Sequence, residues 1–371
     1  MEKKSQRLLS IDALRGFDML FIMGFSSLVV AVCNLFPGGS DCWLATTMGH
    51  AKWHGFTHHD TIFPLFLFLA GMSFPFSYAK QVSLGTPAKK IYIKIFKRAI
   101  TLIFLGLVYN GLFKLDFEKL RVCSVLGRIG MAWMCAAILY INFKPKTRAI
   151  ICAAILVGYW ILIRFVPAPD TPGADPLSMQ GNLIGYIDRL ITPGRLIYDS
   201  GRFDPEGLLS TFPAIVSAML GIFTGEFVRI SDDKISGTRK TLYMAGAAVA
   251  LLAVGLLWSV DFPLNKMLWS SSFVLVVGSY CLGMFALFYY IIDVRKWQKW
   301  TTFFTVIGMN SITIYMAQKI VSFSSINKFF FSGLAGMLPE PWAKVLYAAG
   351  YVAICWLFLY FLYKKKVFLK I

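Results

Sequence analysis

Charge is scarce in this 371-residue chain, with Asp, Glu, Lys and Arg making up 15% of it against roughly a quarter in a soluble domain. Acidic residues are the scarcer sign, 19 against 37 Lys and Arg. Histidine occurs four times, and the seven cysteines are scattered. So few polar residues exclude a disordered chain, and dispersed cysteines exclude a disulfide-dense secreted scaffold. An ordinary soluble enzyme is excluded too, because so few charges do not dress an aqueous surface. The sequence has no internal repeat, no linker and no composition break, so 1–371 reads as a single domain. Without a soluble domain to present a basic surface, nucleic acid is not an expected partner.

What is abundant is apolar: 57% of the residues are hydrophobic, with 33 Phe and 10 Trp. They fall in runs long enough to cross a bilayer, which takes about 20 helical residues. Ten spans are expected, over 12–35, 61–79, 99–113, 124–142, 149–167, 207–229, 241–260, 267–292, 301–321 and 342–363. The fold class is therefore all-α, a polytopic membrane protein of about ten transmembrane helices. The first run holds Asp12, Arg15 and Asp18 and has no A-x-A site, so it does not read as a cleavable signal peptide. With both termini in the cytosol, the inner segments hold 23 Lys and Arg, the outer segments 11 and the spans 3. Acidic residues divide the other way, 4 inside, 12 outside and 3 in spans. That is the positive-inside pattern. The basic inner face suits anionic lipid, and a polyanionic cytosolic ligand is the sharper reading.

Two outer loops stand out, 36–60 and 168–206. All four histidines, His50, His54, His58 and His59, lie within ten residues of the first. Imidazole titrates near neutral pH and suits a general base; a hydrated surface loop is the plain alternative. His54, His58 and Asp60 have a spacing that two imidazoles on one helical face would share, but no metal site is expected there. Asp60 either orients an imidazole or caps the following helix. The loop 168–206 supplies Asp188, Asp204 and Glu206, whose carboxylates either line a mouth that attracts a protonated amine or, for the last two, cap the sixth span. Within spans, Asp12 and Arg15 lie one turn apart and neutralise each other. Arg128 and Glu226 are within snorkelling reach of the outer and inner ends. Asn310 and Ser311 are polar in mid-span. Cys33, Cys135, Cys152, Cys281 and Cys355 read as packing residues in spans, while Cys42 and Cys123 face outward and are candidates to pair.

Several motifs occur in order: RLLSIDALRG at 7–16, HAKWHGFTHHDTIFPLFLFLAG at 50–71, GRIG at 127–130, GYIDRL at 185–190, FDPEGLLST at 203–211, NKMLWSSSFV at 265–274 and GMNSITIY at 308–315. Together they closely resemble the heparan-α-glucosaminide N-acetyltransferase family of the transmembrane acyltransferase superfamily, over nearly the whole chain. The resemblance implies transfer of acetyl from cytosolic acetyl-CoA to the amine of a terminal glucosamine on the far side of the membrane. It places the essential histidine, which opens an H-x-x-W motif, at His50, with Trp53 following on the acceptor side. His50 acts in that picture as general base or as transient acetyl carrier. Arg98, Arg128, Asp12 and Arg15 become candidates for the acetyl-CoA path, with Asn310, Ser311 and Tyr315 as pore-lining donors. The acceptor side takes an amino sugar or oligosaccharide, near Trp53, Asp188, Asp204 and Glu206. A homodimer is a further implication. Family members from eukaryotes carry a luminal extension and an additional span, whereas this sequence starts at the first motif, so a bacterial inner membrane and a periplasmic glycan are expected. Two alternatives are an O-acetyltransferase of a cell-surface glycan and a proton-coupled transporter with Asp12, Arg15, Arg128 and Glu226 as relay; no inverted repeat supports the second.

Overall fold

Hydrocarbon offers a backbone no hydrogen-bond partners, so a chain of this composition has to satisfy its N–H and C=O groups within helices. The computed structural model describes residues 8–369, and among the described residues no strand occurs, only isolated bridges. The helices are α1 Leu9–Leu20, α2 Ser26–Cys33, α3 Trp43–Thr46, α4 Ile62–Ser83, α5 Ala88–Tyr109, α6 Val125–Asn142, α7 Pro145–Phe165, α8 Leu183–Ile191, α9 Thr211–Val228, α10 Gly237–Trp258, α11 Ser271–Phe288, α12 Thr301–Gly308, α13 Ser311–Ile320, α14 Phe323–Gly336 and α15 Glu340–Lys364.

Eight helical segments are long and apolar enough to cross a membrane: Leu9–Cys33, His58–Ser83, Val125–Asn142, Pro145–Phe165, Thr211–Val228, Gly237–Trp258, Ser271–Val294 and Glu340–Lys364. The chain is a polytopic helical membrane protein. Two expected spans are not among the eight. The run over 99–113 is the second half of α5, whose first half carries Lys89, Lys90, Lys94, Lys97 and Arg98. The run over 301–321 is broken at Met309–Asn310 into α12 and α13. A second interruption separates α1 from α2, a π turn over Phe21–Phe25 with Gly24 at φ 120°, a conformation that glycine adopts without a steric penalty. Hydropathy alone reveals neither break.

The described chain forms two compact units, one of residues 8–51, Phe56–Ile62 and 287–369, the other of Lys52–Gly55 and Phe63–Ala286. Within the first, α1 crosses α12 at bare backbone. A Cβ on Gly16 would lie 1.8 Å from the Phe304 carbonyl oxygen, and one on Gly308 would lie 1.9 Å from that of Asp12. Within the second, α9 crosses α4 in the same way, with Gly221 against the Phe68 carbonyl and Gly71 against that of Ala218, at 1.9 and 2.0 Å for the added Cβ. Lipid is as apolar as leucine, so membrane helices associate through this kind of close approach rather than by hydrophobic burial. The span in α9 is 72% buried, whereas those in α10 and α15 are 17% buried. The latter two expose Leu242, Val249, Leu257, Leu357 and Phe361, an apolar surface that belongs in a bilayer.

Several charged groups in or near the spans are paired. Arg15 Nη1 lies 3.5 Å from Asp12 Oδ1. Glu226 does not simply snorkel: both its oxygens accept from Arg148 at 2.9 Å, and that guanidinium also lies over the rings of Tyr140 and Phe223. Lys240 Nζ, also buried, donates to Asp232 at 2.7 Å and to the Val228 carbonyl at 3.0 Å.

Replacing Gly221 by Leu is expected to destabilise the second unit by about 1–3 kcal/mol or more, because the new side chain overpacks a backbone contact. Gly246→Ala on α10, where nothing lies within 4 Å of the added Cβ, should be neutral or stabilising by up to about 1 kcal/mol. Thermal unfolding of the two detergent-solubilised variants checks the contrast.

Candidate active site

Thr57 is extended and caps a short 3₁₀ turn, His58–Thr61, that leads into α4. Asp60 completes a capping box: its Oδ2 accepts the Thr57 N–H at 3.3 Å and lies 2.8 Å from the Thr57 hydroxyl. This arrangement satisfies donors that a helix start leaves open. The same Oδ2 accepts the Ala51 N–H at 3.3 Å. The other oxygen, Oδ1, lies 2.7 Å from Nδ1 of His50. Asp60 is 1% exposed and the His50 side chain 44%. An imidazole that donates Nδ1–H to a carboxylate has its basic lone pair on Nε2. Asp60 therefore fills both roles left open by the sequence, cap and orienting group.

The other histidines are drawn into packing rather than forming a hydrated cluster. The His59 ring meets that of His50 edge to face at 4.5 Å, and its Nδ1 lies 3.4 Å from Ser26 Oγ. His58 packs on Phe21 at 4.4 Å. In the second unit, His54 Nδ1 lies 3.3 Å from the Asn265 side-chain nitrogen. Burial holds the His54 pKa below the ordinary imidazole value, with Asp175 opposing, so this ring accepts from the amide in its neutral form. Trp53 donates its indole N–H to the Leu177 carbonyl at 2.8 Å and meets Phe203 edge to face; its polar handle ties down the 168–206 loop. Among the described residues, no three His, Cys, Asp or Glu side chains converge as a metal-ligand group.

The loop 168–206 is folded about α8. Arg189 pairs with Asp170 at 2.7 Å and donates to the Arg202 carbonyl. Asp204 and Glu206 do not cap α9, which begins only at Thr211. They are buried against Arg121, which grips Asp204 through two nitrogens at 2.7 Å each and also donates to Glu206. Burial works against the Arg121 charge, but the two carboxylates outweigh it and raise its pKa. These acids thus face a guanidinium, not an open mouth. Asp188 is fully buried. Its Oδ1 accepts the Leu208 N–H at 2.9 Å, while Oδ2 has no hydrogen-bond partner among the described residues. Burial pushes its pKa up to about 6, offset only in part by that N–H and by Arg128.

Arg128 does not snorkel outward. It is 1% exposed, donates to Ser210 Oγ and the Gly207 carbonyl, and lies over the Trp269 ring at 5.0 Å. These contacts replace the water that snorkelling would have reached. Its Nε and Nη1 have no hydrogen-bond partner among the described residues. Arg98 lies over Trp133 at 4.1 Å. In the first unit, Asn310 marks the break before α13 and is 2% exposed, with Ser311 beside it at 6%. Thr313 Oγ1 lies 3.2 Å from Asn310 Oδ1, and Tyr315 follows one turn on in α13.

No family model matches the chain. It is 28% identical to heparan-alpha-glucosaminide N-acetyltransferase of Homo sapiens over 420 aligned residues, covering 98% of this chain and 60% of that protein. It is 27% identical to the Mus musculus protein of the same name, covering 99% and 61%. The chain is a relative of the heparan-alpha-glucosaminide N-acetyltransferases. It spans about 60% of the length of these curated relatives.

Several of the groups that build the surroundings of His50 and the 168–206 loop are not apparent from the sequence. Arg121 reads there as one loop cation among many, and only the fold shows that it neutralises two buried acids. Asn265 lies in a quoted motif, but nothing local announces that it meets His54. The unpaired oxygen of Asp188 makes a pH-dependent expectation. A carboxyl whose pKa is raised on folding contributes its full stability below the unfolded value near 4, and loses it as pH rises through about 6. Asp188→Asn should therefore stabilise the protein by up to about 2–3 kcal/mol above pH 7, with the gain shrinking to nothing near pH 4. Unfolding midpoints of both proteins across that range test it.

Proposed function

We propose that this chain is an integral-membrane acetyltransferase that passes the acetyl group of acetyl-CoA to the amine of a glucosamine-type sugar, with His50 as general base. The names of its relatives supply the reaction class. The observation that carries the assignment is the 2.7 Å contact between His50 Nδ1 and a buried, fully capped Asp60, in a ring that still reaches solvent.

The chemistry follows from that contact. A neutral amine attacks the thioester carbonyl, a C–N bond forms, and the nitrogen must lose a proton before the C–S bond breaks to release the thiol. Nε2 of His50 takes that proton, and the Asp60 carboxylate stabilises the resulting imidazolium. The imidazolium then returns the proton to the departing thiolate. Proton transfer by a positioned group of this kind is worth about 10²–10⁴-fold in rate, and a carboxylate behind the ring fixes its tautomer and orientation. On the donor side we assign Arg98, held over Trp133 and next to Lys94 and Lys97, to the phosphates of CoA, since a guanidinium fork fits phosphate oxygens. The Asp12–Arg15 pair and Asn310, Ser311 and Tyr315 are assigned to the path of the pantetheine arm, and Arg128 to the acyl end. In this reading the donor enters from the cation-rich cytosolic face and the sugar from the opposite side of a bacterial inner membrane. Trp53 and Asp188 serve the acceptor side, Trp53 by holding the outer loop, and Asp204 and Glu206 by fixing it through Arg121.

Free-CoA release by the purified protein, measured with glucosamine, N-acetylglucosamine and a panel of oligosaccharides, tests the reading. Release stimulated by glucosamine and not by N-acetylglucosamine is expected; stimulation only by hydroxyl acceptors would point instead to O-acetyl transfer. His50→Ala should abolish turnover while keeping its unfolding midpoint and its stabilisation by acetyl-CoA. Asp60→Asn should lower kcat by about 10²–10⁴-fold, as loss of the orienting carboxylate does in a hydrolase triad. Full turnover in purified His50→Ala would end the assignment.

A further inference from the structure

The segment between α2 and His50 contains a feature that the acetyl-transfer reading does not use. α2 ends at Cys33, and the chain then doubles back through a run of tight turns. The Phe36 N–H donates to the Cys33 carbonyl at 3.0 Å, the Gly39 N–H to that of Phe36 at 3.0 Å, and the Asp41 N–H to that of Gly38 at 3.1 Å. Gly38 is left-handed at φ 69°. Gly39 is pressed against the start of its own loop, since a Cβ there would lie 1.8 Å from the Cys33 carbonyl oxygen. The result is that Cys42, which opens α3, returns to the end of α2 that carries Cys33, and α3 packs against α2.

Both thiols are partly exposed and neither is bonded to another cysteine. Cys123, Cys152, Cys281 and Cys355, by contrast, are buried. Cys42 is further prepared by its position: its Sγ accepts the Ala45 N–H at 3.4 Å. That N–H is the largest of the causes that hold its thiol below the usual range. A thiol with more thiolate character is the better nucleophile for exchange.

We propose that Cys33 and Cys42 form an intramolecular disulfide that staples the 34–41 turn ahead of the His50 segment. The oxidant is a disulfide-bonded donor, RSSR. The Cys42 thiolate attacks one sulfur of the donor, an S–S bond forms to Cys42, and the first RSH leaves after taking up a proton. The Cys33 sulfur then attacks Cys42, the mixed disulfide breaks, and the second RSH leaves. The balance is RSSR plus two protein thiols giving one protein disulfide plus two RSH. The staple joins the end of α2 to α3, and the residue that follows α3, Thr47, accepts the His59 N–H at 3.1 Å through its carbonyl. The bridge therefore stiffens a segment hydrogen-bonded to the start of α4, chiefly by limiting the unfolded chain.

The test uses the full chain in detergent, incubated with oxidised glutathione and then alkylated after denaturation. The seven thiols of the untreated protein should fall by two. Chymotryptic cleavage after Leu35 separates the two cysteines, so the bridge should appear as two peptides that part only on reduction. Cys33→Ser should show no such pair and should accumulate glutathione on Cys42 instead. Oxidation should raise the unfolding midpoint of the parent protein by a few degrees and leave that of Cys33→Ser unchanged. An unchanged thiol count in the parent, or a bridge mapped to any other pair, overturns the proposal. A bridge at the expected pair with no change in midpoint overturns the stapling role.

Discussion

The carboxylate of Asp60 is the group on which the candidate site depends. It is almost completely buried at the mouth of a membrane helix, where an ionised acid without partners would cost several kcal/mol. Its donors include two backbone N–H groups, a hydroxyl and an imidazole. A helix cap is worth about 1 kcal/mol, and a hydrogen bond to a charged group about 1.5–3 kcal/mol. One residue thus closes the helix, fastens Ala51 and Thr57 to its first turn, and turns the His50 ring. Because the loop and the ring hang on the same two oxygens, the loop cannot shift without moving the imidazole.

The same physics recurs at several places where this chain carries charge into a dry environment. Arg148 meets Glu226 through two parallel hydrogen bonds, and Arg121 meets Asp204 the same way. The planar fork of arginine matches two carboxylate oxygens at once, which lysine does not. Where lysine is buried, as at Lys240, backbone carbonyls complete its three donors. Asp188 departs from the pattern. One oxygen is hydrogen-bonded to Leu208 and the other only pressed on Gly207, so the fold tolerates a carboxyl whose neutral form is favoured.

The membrane class and most of the spans were legible in the sequence, since hydrophobic runs are local signals. The breaks at Gly24 and Asn310 were not, because an interruption of one or two residues leaves mean hydropathy unchanged. Partner choice was illegible for a different reason. Glu226 and Arg148 are 78 residues apart and Arg121 and Asp204 are 83 apart, so no window of sequence contains both. Asp204-Pro205-Glu206 has a good local signature for a helix start, and the local reading lost to the tertiary demand of Arg121. Cys33 was hidden by its composition: a cysteine at the end of an apolar run looks like packing until the turn brings Cys42 back to it.

The four histidines show how far residue type falls short of role. They occupy one stretch of ten residues, yet each meets different chemistry at its ring. His54 faces an amide that treats Nδ1 as an acceptor, which leaves the proton on Nε2 and the basic lone pair spent. His58 packs at a tilt against a phenyl ring. His59 faces a hydroxyl and the edge of a neighbouring imidazole. His50 faces a carboxylate, and that partner does two things the others do not. It demands a proton on Nδ1, which moves the lone pair to Nε2, and it stabilises the cation that forms when Nε2 takes up a second proton. A base that must pick up and return a proton within one turnover needs both, so in the proposed reaction the environment, not the imidazole, singles out His50.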